Sequence, residues 1–332
     1  MAASTSVDAV IAHRAPAVSP RRWARIVALM VSLLAVSAVA AGCSSSASEP
    51  DRTLVVGTGP GTAPAIAADI YAEVLRHEGA TVRSGLVTGS YRQLLDGVDG
   101  GTVDLFGAFS GSLLSALAPG STATSTDAVY DDLNRALPQG VSVGDPTTVV
   151  DQLQVVVAGS TASAAGVDEL SECSRLPAGL PVVSDRTPDE GTLAALATVG
   201  CRFGPFRKVA DVAAVTAEVT SGRAVGLVST LSTAGNDAAL TVLADKKQVS
   251  ADARAAPTAT GAPDPSDQPA IRAQNLVPVF ATAALDRDLI KAVNKVAGEL
   301  TTADLAAMAQ KVSTGESSAS SVVTDWLSEH NL

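Results

Sequence analysis

The stretch Thr53-Leu-Val-Val-Gly57-Thr-Gly-Pro-Gly-Thr62, followed by an apolar pattern over residues 65–78, decides the fold class. Thr53–Gly57 is short, apolar and β-branched and is closed by glycine, which describes a buried strand. Thr58–Thr62 is turn chemistry. Ile66, Ile70, Tyr71, Val74 and Leu75 then recur at helical spacing. Ala80-Thr-Val-Arg83 predicts a second strand, Tyr91–Val98 a helix and Val103–Phe106 a third strand. Strands alternating with helices imply βαβ units and a largely parallel sheet. Ligands in such sheets bind beyond the carboxyl ends of the strands, where these loops lie. The Gly57-x-Gly59-x-Gly61 spacing is not that of a dinucleotide fingerprint, and no acidic residue closes a ribose site. The glycines fit a tight turn and the close approach of backbone to a small ligand.

A second unit opens with the strand Asp151-Gln-Leu-Gln-Val-Val-Val157. It continues through a helix start at Gly166–Leu170, the strand Leu180–Val183 and a helix over 190–199. Phe206–Ala210 leads into a helix over 213–222, and the strand Ala224–Val228 follows. After it come Leu240-Thr-Val-Leu243 and a polar, Pro/Ala-rich loop from Lys246 to Asp267, expected on the surface. Asn275–Phe280 reads as a strand, and helices over 286–300, 302–314 and 318–329 finish the chain. Thr301-Thr-Ala-Asp304 has the residue types of a helix N-cap. Two α/β halves joined near residues 148 and 230 result, one formed by 53–147 plus 231–332 and the other by 148–230. The C-terminal helices return to the first half, so the expectation is a hinged cleft.

The N-terminus carries an address. Arg14, Arg21, Arg22 and Arg25 stand against one acid, Asp8, before an apolar run from Ile26 to Ala41 that ends in Gly42-Cys43. A positive n-region, a short apolar h-region and small residues at a cut site describe a secretory signal peptide. The run is about 16 residues, short of the roughly 20 that span a bilayer comfortably. Ala40-Ala41-Gly42-Cys43 resembles the bacterial lipobox, which implies lipidation of Cys43 after removal of residues 1–42. Residues 43–52, Ser-rich, would then be a flexible tether.

The whole chain has 23 basic and 34 acidic residues. Without residues 1–42, which hold four arginines and one aspartate, these become 19 and 33, a net charge near −14. Such a surface argues against nucleic acid, whose phosphates call for Lys and Arg. Attachment to a membrane then rests on the lipid. Beyond Cys43, Cys173 and Cys201 remain, and in an oxidising compartment an even pair reads as a disulfide. Past residue 42 the histidines are His77 and His330, too isolated for a metal cluster or a Ser/His/Asp arrangement. No catalytic residues, cofactor or metal site are therefore expected, and an enzyme is disfavoured.

Several ordered pieces carry a resemblance. Val55-Val-Gly57, Ala68–Leu75, Gly89-Ser90, Asp104-Leu105, Phe109-Ser-Gly-Ser-Leu-Leu114, Gly226-Leu-Val-Ser-Thr230, Asn275–Val279 and Leu300–Leu305 resemble the substrate-binding proteins of glycine betaine/choline/proline-type ABC importers. The resemblance implies an α/β, two-lobed type II periplasmic-binding-protein fold, each lobe a mixed or mostly parallel sheet flanked by helices. Together with the lipobox at Cys43, the expectation is a lipid-anchored, monomeric extracytoplasmic protein on the outer face of the cytoplasmic membrane. Its partners would be a small osmolyte, such as glycine betaine or choline, and the permease and ATPase subunits. The other reading is a non-transport lipoprotein, a sensor or scaffold with a degenerate cleft.

A quaternary ammonium has no hydrogen to donate and is held by aromatic faces. The family places a Tyr, preceded by Glu and followed by Thr-Gly, where this chain has Ala108-Phe109-Ser110-Gly111. Phe109 keeps a ring face without the hydroxyl. Past residue 42 there are nine aromatics, of which Tyr71, Tyr130, Phe280 and Trp326 sit at core positions of helices or strands. A full cage of three or four rings is not available. The ligand-binding candidates are Thr58 and Gly59, near a helix start, with Tyr91, Phe109 and Ser110 from the first half. From the second come Arg186, in the Ser184-Asp-Arg-Thr187 loop, with Ser229 and Thr230.

Overall fold

Ten strands divide between two five-stranded sheets, one in each lobe. The computed structural model describes residues 52–188, 190–232, 237–245 and 271–332, and these belong to one unit running from Arg52 to Leu332. In the first lobe the order is β2-β1-β3-β10-β4, formed by Val87–Thr88, Val56–Thr58, Leu105–Phe109, Leu276–Ala281 and Val141–Val143. Strands β1, β2 and β3 are parallel, whereas β10 runs antiparallel to both β3 and β4. In the second lobe the order is β7-β6-β8-β5-β9, formed by Phe206–Lys208, Val182–Ser184, Val225–Ser229, Leu153–Ala158 and Leu240–Leu243. Here β5 is antiparallel to β8 and β9. Each sheet thus has four strands running one way and a single reversed strand in fourth place, and in each lobe that reversed strand is the one arriving from the other lobe.

The apolar patterns explain the layers. Helix α1 (Thr62–His77) puts Ile66, Ile70 and Leu75 into a core shared with Val293 and Val296 of α8 (Arg287–Glu299), Leu305 of α9 (Thr302–Ser313) and Trp326 of α10 (Ala319–His330). Full burial of each such aliphatic side chain stabilises by about 1.5–3 kcal/mol. On the opposite face Leu94 of α2 (Tyr91–Asp99), Phe106, Leu113 of α3 (Ser110–Leu117) and Leu133 of α4 (Thr126–Ala136) form a second cluster. Strand β5 divides in the same way: Val155 and Val157 face one core, Val156 the other, as the two-residue period of a strand requires. The remaining helices of the second lobe are α5 (Gly159–Ala165), α6 (Glu190–Thr198) and α7 (Val212–Thr220). A 3₁₀ turn at Leu170–Arg175 carries Cys173, which is disulfide-bonded to Cys201 with Cα atoms 5.1 Å apart.

Asp104 ties β1 to β3. Only 2% exposed, its carboxylate accepts from the Val55 N–H at 2.8 Å and from Arg52.

The sequence expectations hold for the two-lobed α/β fold and need correction in detail. Leu240–Leu243 does not belong to the first lobe: it pairs with β5, because an apolar strand there covers the open edge of the second sheet. The return crossing consequently falls at residues 271–275 rather than near 230. Ala80–Arg83 is extended but contributes a single bridge, Leu54 to Val82, and the edge strand is Val87–Thr88. Gly166, expected to start a helix, ends one in the left-handed conformation. The loop from Lys246 to Asp267 lies outside the described residues, as does Cys43.

The two crossings run side by side. Val150 bridges antiparallel to Asn275, the Asp151 N–H donates to the Gln274 carbonyl at 3.0 Å, and the Leu276 N–H to the Val149 carbonyl at 2.9 Å. A two-stranded ribbon of this kind is the only covalent link between the lobes among the described residues, and the carboxyl ends of β1, β6 and β8 meet around one space.

Candidate functional site

Asp151 sits on the crossing ribbon just before β5, and Arg186 follows β6. The guanidinium lies bidentate on the carboxylate, with Nη1 donating to Oδ2 at 2.9 Å and Nη2 to Oδ1 at 3.1 Å. The Ser229 hydroxyl, at the end of β8, also donates to Oδ1. Asp151 is 13% exposed and Arg186 41%. Burial alone would pull the Arg186 guanidinium down, but its hydrogen bonds and attraction to Asp151, with the nearby Asp185 charge, hold it above the usual arginine range.

This group borders a cavity of about 560 Å³ between the lobes. The first lobe supplies one wall from the start of α1, with Pro60, Thr62 and Pro64, and from α9, with Ala309 and Gln310. The second supplies Asp151, Asp185, Arg186, Ser229 and Ser232. Gly61 is the N-cap of α1, at φ 111°, where a residue bearing a Cβ is strained; no side chain caps that helix end. The Ser232 hydroxyl is buried without a hydrogen-bond partner among the described residues.

Of the residues the sequence nominated, Arg186 and Ser229 meet here, on Asp151. The others hold the frame. Thr58 is 2% exposed, and its hydroxyl donates to the Gly59 carbonyl at 3.0 Å. Tyr91 lies against Gly59, where a Cβ would stand 3.9 Å from its Cε1. The Tyr91 hydroxyl accepts the Phe109 N–H at 2.8 Å, and its ring stacks on Phe106 with centroids 6.4 Å apart. Burial pushes that hydroxyl far above the usual tyrosine range; the Phe109 N–H opposes the shift, Asp151 adds to it and Arg186 opposes it. Tyr91 is therefore within electrostatic reach of the ion pair. The Phe109 side chain, 5% exposed, belongs to the core around α1. The Ser110 hydroxyl accepts the Asn275 N–H at 3.1 Å and anchors the return crossing. Thr230 ties β8 to the outgoing crossing: its N–H donates to the Gln152 carbonyl at 2.9 Å, and its hydroxyl accepts the Gln152 N–H at 3.1 Å.

Sequence reasoning missed Asp151 and Asp185. Asp185 adjoins Arg186 in the loop already singled out, so its position was in view. Asp151 gave no local signal, because its partner is 35 residues away and only the lobe's fold joins them. A cluster with metal-ligand proximity is the surface trio Asp168, Glu169 and Glu172, and there Arg175 already occupies Glu172 at 2.8 Å. It lies apart from the residues of the cleft.

Two α/β lobes, two crossings and a polar cavity between them define a periplasmic-binding-type fold of type II. The family model for the substrate binding domain of ABC-type glycine betaine transport systems matches residues 52–329, and the chain belongs to that family. Substrate-binding proteins of ABC importers work outside the cytoplasm, take up small solutes and deliver them to permease and ATPase subunits; they are not enzymes. Among solved structures, a glycine betaine/carnitine/choline ABC transporter protein aligns with a TM-score of 0.67 at 14% identity, over 85% of this chain and 98% of that one. Apo YehZ from Escherichia coli aligns with a TM-score of 0.59 at 14% identity, over 84% and 99%. Lactococcal OpuAC, in a closed state with glycine betaine, aligns with a TM-score of 0.52 at 12% identity, over 85% and 97%. These likenesses establish the fold. Among curated proteins, none matches the chain. No helix among the described residues is long and apolar enough to cross a membrane.

Proposed function

We propose that this chain is a monomeric solute-binding protein of an ABC importer, tethered through a lipid on Cys43 to the outer face of the cytoplasmic membrane. It captures a small osmolyte, of the kind that includes glycine betaine and choline, by closure of the lobes. The observation that carries this reading is the interlobe cavity, walled by both lobes and backed by a two-stranded ribbon about which they can hinge. A solute touching both walls favours the closed state by its differential affinity for it. The tether keeps the cleft near its permease at high effective concentration.

Ligand binding to the folded state raises the melting temperature by mass action. The test is a thermal-shift series on the purified full-length protein with glycine betaine, choline, carnitine and proline. At least one should give a saturable rise, and no shift with any of them overturns the reading. For the tether, labelling of producing cells with a radioactive fatty acid should mark the wild-type protein and not Cys43→Ser. Equal labelling of both would refute lipidation at that residue.

A further inference from the structure

We propose that the cleft selects a zwitterion that carries a carboxylate and at least one N–H on its cationic nitrogen, in preference to a fully methylated ammonium. This rests on the solute-binding reading above and names the ligand class of that site. A quaternary ammonium offers no hydrogen-bond donor and relies on ring faces. The described lining of the cavity contains no aromatic ring. The two rings that could have supplied one are committed elsewhere: Tyr91 to Phe106 and the Phe109 N–H, Phe109 to the core around α1.

Hydrogen-bonding charges stand in their place. Arg186 uses two of its five N–H groups on Asp151, and the other three have no partner among the described residues. Asp151 holds the guanidinium in one orientation, and an oriented fork of donors is matched by a carboxylate. Beside it Asp185 lines the same cavity, and its carboxylate makes no hydrogen bond among the described residues. Asp151 and Arg186 neutralise each other, so Asp185 is the uncompensated charge, negative and acceptor-only. It suits a cation that can donate. The Ser232 hydroxyl adds one more unpartnered polar group on the same wall. A ligand lacking the carboxylate leaves the Arg186 donors unmatched, and one lacking the N–H leaves Asp185 with charge attraction alone. Sites built to hydrogen-bond a group discriminate strongly against analogues without it.

Calorimetric titration of the purified full-length protein with four probes tests this. N,N-dimethylglycine and glycine betaine differ by one N–H against one N-methyl, choline lacks the carboxylate, and proline carries both features on a ring. N,N-dimethylglycine should bind at least about tenfold more tightly than glycine betaine, with choline the weakest of the four. Asp185→Asn should weaken N,N-dimethylglycine by about tenfold and leave glycine betaine within about twofold. Arg186→Gln should weaken every carboxylate-bearing probe. Glycine betaine binding as tightly as N,N-dimethylglycine, or D185N weakening both equally, overturns the selectivity while leaving solute capture intact. Failure of all four to bind overturns the proposed function itself. Circular dichroism of each variant separates a lost contact from a lost fold.

Discussion

Arg186 and Asp151 form a bidentate ion pair at the mouth of the interlobe cavity, with Nη1–Oδ2 at 2.9 Å and Nη2–Oδ1 at 3.1 Å. The pair joins the crossing ribbon to the end of β6. It is neither an exposed surface bridge nor a dry one: the aspartate is 13% exposed and the arginine 41%. Surface pairs contribute about 0–1 kcal/mol, and breaking a fully buried pair costs about 3–5 kcal/mol.

Asp151→Ala should therefore fall between those limits, at about 1–2 kcal/mol of lost stability in urea unfolding. The cost comes from leaving Arg186 without its counter-charge and the Ser229 hydroxyl without its acceptor. If so, the double variant D151A/R186A should be no less stable than D151A alone, since the stranded charge has gone. A double variant losing much more than the single would show that Arg186 has other stabilising partners.

Tyr91 contributes as an acceptor. Its hydroxyl takes the Phe109 N–H at 2.8 Å, at the point where β3 gives way to α3. Tyr91→Phe keeps the ring and its stacking on Phe106 but leaves that N–H unsatisfied, a penalty of about 1–3 kcal/mol. Urea unfolding should show the loss with an unchanged m-value. A loss of a few tenths only would mean that water reaches the Phe109 N–H.

Asp69, on α1, should make stability depend on acidity. Burial and the Glu73 charge one turn on raise its carboxyl above the ordinary aspartate value, while Arg76 works the other way. A raised acid binds its proton more tightly in the folded state, so the stabilisation is full below the ordinary aspartate range and is lost as pH rises through the raised value. Asp69→Asn should then be more stable than wild type at pH 7, by about 0.2–0.5 kcal/mol from the repulsion alone. The gap should close in acid. Melting temperatures of both proteins from pH 3 to 7 check the sign; a gap that widened in acid would reverse the argument.

The alternation of apolar runs made the fold legible. Val155–Val157 reads as a strand buried on both faces, and Ile66, Ile70 and Val74 read as one helical stripe; both did what their periods require. Helices α3 and α4 were not anticipated. Ser110-Gly-Ser112 looks like a turn, and α4 buries only Val129 and Leu133, too thin a stripe to declare itself. The lobe of Leu240–Leu243 was misjudged because strand pairing is non-local. The cleft was legible in part. Loop charges such as Arg186 advertise themselves, whereas a ring in a pocket and a ring in a core need the same apolar neighbours. Phe109 and Tyr91 could not be assigned between these by sequence, and the packing of β3 against α1 and α2 decides it.

The Cys173–Cys201 disulfide carries the last prediction. It joins the 3₁₀ turn to the segment after α6, with a sequence separation of 28, and both cysteines are buried in the core of the second lobe. In the chain-entropy model a loop of this length stabilises by about 3–4 kcal/mol through restriction of the unfolded chain. The double variant Cys173→Ala/Cys201→Ala should lose about that much, plus a small packing term from two missing sulfurs. Because the disulfide lies wholly within the core of this lobe, the loss should be local at first: the second lobe melts below the first. Two separated transitions in calorimetry are the expected result, with the upper one unshifted. One cooperative transition, lowered as a whole, would show instead that the crossing ribbon couples the lobes into a single unfolding unit.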